Sequence, residues 1–385
     1  MKKVYVIGTG MTKFGKLEKT GRELAIDATN DAILESGINV RDIEATYVSN
    51  AFGIGEEQLH MGPIINGSLG IPEIPSLSIE SACSGGSAAF NQAYIALSGG
   101  YYDAALVVGY EKLSMNRTPE NTKYFAMASD YWYEGMNGVT FPGLYALMAS
   151  AHMNRYGTTE EMLGSVSIKN HRNGSYNSKA HLQKEIDMDT YLKSPVVASP
   201  LKLYDACPFS DGAAAVVLVN EDFNIDRPEK IEVLASARAG SMATLQDRKE
   251  LTGIPGARIA TEKALKVSGL ELKDITFVEV HDCFTIAEIM ALEDIGFFPR
   301  GEGGRASLDG LTQFDGRLPV NSSGGLKAKG HPISATGIAQ IVEIHDQMLY
   351  KVDSHRQVRD PHIGLTHNVG ATGGSVSINI FRRSR

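Results

Sequence analysis

Short apolar runs alternate with amphipathic stretches along most of this chain. Residues 4–7, 45–49, 76–79 and 104–108 read as buried strands. Between them, residues 24–36 carry apolar positions at helical spacing and stop at Gly37. Residues 88–97 are rich in helix formers and stop at Gly99-Gly100. Strands separated by helices predict a parallel sheet. The rhythm breaks between residues 115 and 195, where Tyr124, Phe125, Tyr131, Trp132, Tyr133 and Phe141 cluster and a helix is predicted over 141–156. This excursion reads as a lid or substrate-facing loop region whose aromatics mostly form a core of their own. The sheet resumes over 210–219.

Residues 224–229 read as a linker, after which the order of elements repeats. A strand over 231–237 leads to a helix over 258–267, closed near Gly269, and a strand over 276–280. Thr285 and Glu288 resemble a capping box for a helix ending at Gly296. A helix over 338–349 precedes strands at 364–367 and 375–381. The repeat is one of topology, without residue-by-residue similarity. It divides the chain into halves 1–225 and 226–385, with the inserted loop domain at about 115–195 in the first.

Composition narrows the functions open to such a chain. A net charge of −8 argues against a general nucleic-acid binder, while leaving room for a phosphorylated ligand held by a few basic residues. The opening apolar run is too brief for a signal-peptide core, and no segment is long and apolar enough to span a bilayer, so no membrane partner is expected. The final Arg-Arg-Ser-Arg lacks the simple peroxisomal address. Gly8-Thr-Gly-Met-Thr-Lys13 fails as a dinucleotide fingerprint, because Lys13 stands where the third glycine belongs. Three cysteines, Cys83, Cys207 and Cys283, form neither a disulfide framework nor a zinc-ligand spacing, so no metal is expected. Free thiols suit a reducing cytoplasm.

The chemistry concentrates at four corners. Ser76 to Ser87 reads as strand, tight turn and helix, with Cys83 at the helix N-terminus. The unpaired N–H groups and dipole there favour a thiolate, an acyl acceptor for a thioester or amide; a buried core cysteine fits the corner equally well. In Val278-Glu-Val-His-Asp-Cys-Phe-Thr285, strand alternation puts His281 and Cys283 on one face at a strand's carboxyl end, where open sheets place ligand crevices. A satisfied His and a buried Cys are the plainer reading of that segment. Residues 321–337 form a glycine-dense loop that fixes His331 between Gly330 and Pro332, well placed to take a proton from a thiol. Thr366 to Ser375 joins two strands through glycines that serve either a tight hairpin or backbone donors to an oxyanion. Cys207 has no nearby base and reads as structural. His60, His152, His171, His181, His345 and His355 fit no constellation and read as surface or loop residues.

These motifs, in this order and across the whole chain, resemble the thiolase family. They are Ser-Ala-Cys83-Ser-Gly-Gly, Ser210-Asp-Gly-Ala-Ala-Ala, His281-Asp-Cys-Phe, Gly-His331-Pro and the last glycine loop. His-Asp-Cys-Phe resembles the sterol-carrier-protein type and its archaeal relatives. Asn368 stands where the better-known enzymes carry a second catalytic Cys, and Cys283 matches the residue that replaces it. The resemblance implies an α/β thiolase fold, two similar βαβαβαββ halves in a five-layered α-β-α-β-α structure. It implies an acetyl-CoA C-acetyltransferase with coenzyme A and acyl-CoA as substrates and no permanently bound cofactor. Cys83, deprotonated with help from His331, would be acylated; Cys83 and Gly370 N–H groups would hold the oxyanion. Cys283 would take the α-proton of a second acyl-CoA, with His281 and His331 at the enolate oxygen and Phe284 against the substrate. It further implies a homodimer or homotetramer, and association with 3-hydroxy-3-methylglutaryl-CoA synthase through an OB-fold zinc-ribbon protein, as in the mevalonate pathway. A decarboxylating ketoacyl synthase and a non-catalytic acyl-CoA-binding scaffold are the competing readings. Cys283 beside His281, and Gly-His331-Pro, speak against the former; the full set of candidate groups speaks against the latter.

Overall fold

The computed structural model describes residues 1–384 apart from 52, 57 and 226–228, so part of the expected linker lies outside the described residues. The first half runs β1 (Val4–Met11), α1 (Gly21–Ser36), β2 (Ala45–Ser49), α2 (Met61–Ser68), β3 (Ser76–Ile79), α3 (Gly85–Ser98) and β4 (Ala104–Glu111). The excursion follows as α4 (Thr118–Ala126), α5 (Phe141–Tyr156), α6 (Glu160–Ser175), α7 (Met188–Leu192) and the small pair β5 (Val196–Ala198) and β6 (Leu201–Lys202). β7 (Gly212–Asn220) closes this half. The second half runs β8 (Ile231–Gly240), α8 (Pro255–Ser268), β9 (Phe277–Glu279), α9 (Thr285–Ile295), α10 (Gly303–Leu308), α11 (Thr336–Met348), β10 (Ile363–Gly370) and β11 (Ser375–Arg383).

Strand order exposes the duplication. The first half pairs β3-β2-β4-β7-β1 and the second β9-β10-β11-β8. In each, one parallel pair (β2·β4, β9·β10) is followed by two antiparallel ones. In the second half a single bridge from Val278 to Val320 stands where β3 pairs β2 in the first. The halves join edge to edge only where Val4–Val6 of β1 meet Ile231–Val233 of β8. α3 and α11 pack against each other and touch strands of both sets; Phe90 of α3 meets Phe381 of β11 at 5.8 Å. α1 covers β1, β4 and β7, and α8 covers β8 and β11. The result is five layers, helix–sheet–helix–sheet–helix, with α3 and α11 mostly buried in the middle one. Among the described residues no helix is long and apolar enough to cross a membrane.

Several elements differ from expectation for identifiable reasons. α1 starts three residues early because Thr20 and Glu23 form a capping box, the Glu23 N–H donating to Thr20 Oγ1 and the Thr20 N–H to Glu23 Oε2. The box expected of Thr285 and Glu288 does not form: Thr285 donates to Asp205, and Glu288 is taken up by Lys169 and Asn170. β3 is an edge strand rather than a buried one, with Leu77 52 % exposed. In the excursion, Phe125 and Phe141 pack at 5.8 Å but join the large core of the second half rather than forming one of their own, and Trp132 and Tyr133 face solvent. His152, His171 and His345 are buried in helices, not surface residues.

Candidate active site

Cys83 is delivered by a corner. After β3, Ala82 adopts a left-handed φ of 47°, and a 3-10 turn over Ala82–Ser84 runs into α3. The helix start favours a thiolate, yet burial outweighs it. Desolvation pushes the Cys83 thiol up to about 12, against the Ala371 and Cys83 N–H groups that pull it down. The expected resting thiolate is corrected to a resting thiol that needs a base.

His331 supplies one. Gly330 has φ 109°, and a Cβ there would meet Ser210 Oγ at 2.6 Å, so only glycine brings the loop this close. The His331 N–H donates to the same Oγ at 3.2 Å. His331 Nδ1 lies 2.6 Å from Thr336 Oγ1. The Thr336 hydroxyl gives its single proton to the Pro332 carbonyl at 3.0 Å, so it accepts from the ring. Nδ1 therefore carries the proton and Nε2 presents a lone pair. Burial pushes this imidazole down to about 3, which keeps it neutral.

His281 has the opposite tautomer. Asn368 Nδ2 donates to His281 Nδ1 at 3.0 Å, so Nε2 bears the proton. Burial, with His331 and His367 nearby, holds the ring well below the usual histidine range. The Cys83 sulfur and one ring nitrogen from each histidine lie within 4.8 Å of one another. The two rings stand edge to face at 5.2 Å. Neither Nε2 has a hydrogen-bond partner among the described residues. One lone pair and one N–H thus remain available beside a single sulfur.

β9 ends at Glu279, because the next N–H, that of Val280, goes to the Asn321 side chain at 2.8 Å. His281 and Cys283 consequently lie in a loop, and strand alternation does not place them. Asp282 does. Its buried carboxylate accepts from the Leu326 and Lys327 N–H groups, at 2.6 and 3.2 Å, and from Asn170 at 2.7 Å. This binds the His281–Cys283 loop to the glycine loop carrying His331. Burial, with Glu288 close, raises Asp282 to about 7.

Cys283 is buried, and burial first, then Cys207, pushes its thiol well above the ordinary range. The Cys207 N–H donates to the Cys283 carbonyl at 3.0 Å, so the cysteine read as structural is a neighbour of this site. Phe284, next to Cys283 in the chain, stacks on Tyr145 at 4.7 Å. Gly370 ends β10; beyond it Ala371, at φ 55°, aims its N–H at Cys83 Sγ and its carbonyl accepts from the Tyr145 hydroxyl at 3.0 Å. α3 and α11 meet closely here: a Cβ on Gly337 would lie 2.3 Å from Ser87 Oγ and 2.5 Å from Asn368 Oδ1.

All four corners therefore converge. Sequence reasoning missed Tyr145, Thr336, and the roles of Asn368 and Asp282. Thr336, five residues after His331 at a helix start, was the one recoverable signal; Tyr145 reaches the site only through tertiary packing of the excursion.

A buried cysteine flanked by a histidine lone pair and a histidine N–H, on a duplicated five-layered fold, defines a thiol-dependent acyl-transfer site. The family described as thiolase, N-terminal domain, matches residues 4–222, and that described as thiolase C-terminal domain-like matches residues 237–383. The acetyl-CoA acetyltransferase of Methanothermobacter thermautotrophicus is 43% identical over 386 residues, covering 100% of both chains. Sterol carrier protein 2 of Bos taurus is 31% identical, over 99% of this chain and 72% of its own. The Ltp2-ChsH2(DUF35) aldolase structure superimposes with a TM-score of 0.86 at 24% identity, covering 100% of this chain and 98% of its own. The chain belongs to the thiolase family.

Proposed function

We propose that the protein is an acetyl-CoA C-acetyltransferase, catalysing reversible Claisen condensation of acyl-CoA to 3-ketoacyl-CoA. The observation that carries this reading is the opposite tautomers of His331 and His281 about Cys83. His331 Nε2 takes the Cys83 proton as sulfur attacks the thioester, then passes it to the departing CoA thiolate. N–H groups of Cys83 and Gly370 hold the oxyanion, each worth about 10²–10³ in rate. Cys283 first gives up its S–H proton to water, and its thiolate then removes the α-proton of the second acyl-CoA; the proton released to water returns to Cys83 at the end of the cycle. His281 Nε2–H donates to the enolate oxygen, and a water held on the His331 lone pair donates the second bond. The enolate carbon attacks the acyl group, and Cys83 leaves as thiolate and regains a proton. Phe284 borders the acyl group.

Residues 1–225 and 226–385 act as two halves of one catalytic unit, with 115–195 as the lid. The reading includes a cytoplasmic setting, supported by three free thiols. It includes a homodimer or homotetramer, supported by the outer edge of β3, which has no strand partner among the described residues. It includes association with 3-hydroxy-3-methylglutaryl-CoA synthase through an OB-fold zinc-ribbon protein in the mevalonate pathway, supported by similarity to an assembly that contains a DUF35 protein. The test is a coupled assay with acetoacetyl-CoA and free CoA. Cleavage to acetyl-CoA that Cys83→Ala abolishes is expected; a folded protein that neither cleaves nor acylates Cys83 with a panel of acyl-CoAs contradicts the reading.

A further inference from the structure

The turn between β10 and β11 has each of its carbonyls occupied. That of Gly370 accepts from the Gly373 N–H at 3.0 Å, and that of Ala371 from the Tyr145 hydroxyl at 3.0 Å. Arg248 Nη2 donates to the Thr372 carbonyl at 2.7 Å and to Thr372 Oγ1 at 3.1 Å. The Ser241 hydroxyl holds the Gly373 carbonyl, and the Ser241 N–H reaches that of Gly374 at 3.4 Å. The segment between β8 and α8 therefore grips the tip of the turn. Arg248 stiffens that segment as well, since its Nε donates to the Met242 carbonyl at 3.0 Å. The Thr372 hydroxyl donates back to the Ala243 carbonyl at 2.9 Å. On its far side the segment is tied to the excursion, where the Leu245 N–H donates to Glu134 at 2.8 Å.

The turn needs such fastening. Ala371 sits at φ 55°, a conformation that a residue with a side chain keeps only where its surroundings impose it. Gly370 lies against the Cys83 corner: a Cβ there would meet the Ser81 carbonyl oxygen at 2.6 Å and Ser84 Oγ at 3.1 Å. Among the described residues no carboxylate lies within ion-pair distance of the Arg248 guanidinium; Glu134 and Asp294 act on it only from further off. Its Nη1 is buried without a hydrogen-bond partner. A desolvated cation lacking a counter-ion is costly, and what offsets the cost here is a charge-assisted bond to the turn. That bond polarises the Thr372–Gly373 peptide, whose N–H in turn holds the Gly370 carbonyl.

We infer that Arg248 is a positioning residue for acyl transfer: it clamps the 370–374 turn so that the Gly370 N–H meets the acyl oxygen on Cys83. It acts through the turn, and no proton or covalent bond passes through it. The inference rests on the proposed role of Gly370 as an oxyanion donor.

The experiment compares three readouts. They are the rate of Cys83 acetylation by intact mass, the infrared carbonyl band of ¹³C-acetyl-Cys83, and exchange of acetyl-CoA methyl protons with deuterium in heavy water by enzyme already acetylated at Cys83. Arg248→Met should slow acetylation about 10–100-fold at saturating acetyl-CoA and raise the carbonyl frequency, because the acyl oxygen loses a well-aimed donor. Exchange should change less than about twofold, since the enolate oxygen is held by other groups. Ser241→Ala, which frees one turn carbonyl without adding bulk, should shift rate and band the same way. Millimolar guanidinium should restore part of the rate to Arg248→Ala. An unchanged rate and band in both Arg248→Met and Ser241→Ala, or acetylation and exchange falling together without guanidinium rescue, overturns the inference. Failure of the unmodified protein to acetylate Cys83 overturns instead the acyl-transfer reading on which it rests.

Discussion

At the scale of single residues, burial decides most of the chemistry. The helix start at Cys83 was legible in the sequence, and so was the glycine corner around it. The degree of burial was not, because it depends on α5 and β10 arriving from distant parts of the chain. Desolvation therefore reverses the expected resting state of the thiol and keeps His331 neutral. The sign follows directly: a histidine depressed to about 3 retains its basic lone pair as pH falls through the ordinary value of 6.5. Single-turnover acylation of Cys83 should then stay flat between about pH 5 and 8, and stopped-flow mass analysis showing a limb near 6.5 would contradict a buried neutral base. Asn368 is the residue-scale surprise. It stands where a second cysteine is common in the family, and here it fixes the tautomer of His281.

At the scale of elements, the site is held by loops that side chains tie together rather than by regular ladders. Strand alternation, applied to residues 278–285, brought His281 and Cys283 to the right end of the sheet for an incomplete reason. Asn321 ends β9, and Asp282 then anchors the loop to the N–H groups of Leu326 and Lys327. Removing that carboxylate strands two buried backbone N–H groups and one N–H of the Asn170 amide. Asp282→Ala should cost about 2–4 kcal/mol of stability by urea unfolding and reduce exchange and acylation together, since it displaces both halves of the site. A variant of unchanged stability would show the anchor to be dispensable. Asp211 plays a similar part for the excursion, accepting from the N–H groups of Leu17, Leu113 and Ser114 and pairing with Lys112. The excursion was visible as a break in the sequence pattern, but its delivery of Tyr145 was not, because nothing in residues 141–156 marks one aromatic as inward.

At the scale of the whole molecule, the duplication explains why the reacting groups come from both halves. α3 follows Cys83, its counterpart α11 follows His331, and the two helices pack together between the two sets of strands. The repeating order of elements was readable from periodicity alone. The closing hairpin of β10 and β11 was readable too, whereas the antiparallel placement of β1, β7 and β8 was not, since it is set by pairings between distant strands. The exposed edge of β3 argues for a second copy pairing there. Leu77→Lys should convert a dimer to a monomer by sedimentation, while a wild-type protein that is already monomeric would remove that part of the proposal. The division of labour between two sulfurs is the central claim, and Cys283→Ala tests it most directly. Intact mass after mixing with acetyl-CoA should show acetylated Cys83 at the normal rate, with condensation to acetoacetyl-CoA lost by at least about 10²-fold. Normal condensation in that variant would contradict the account.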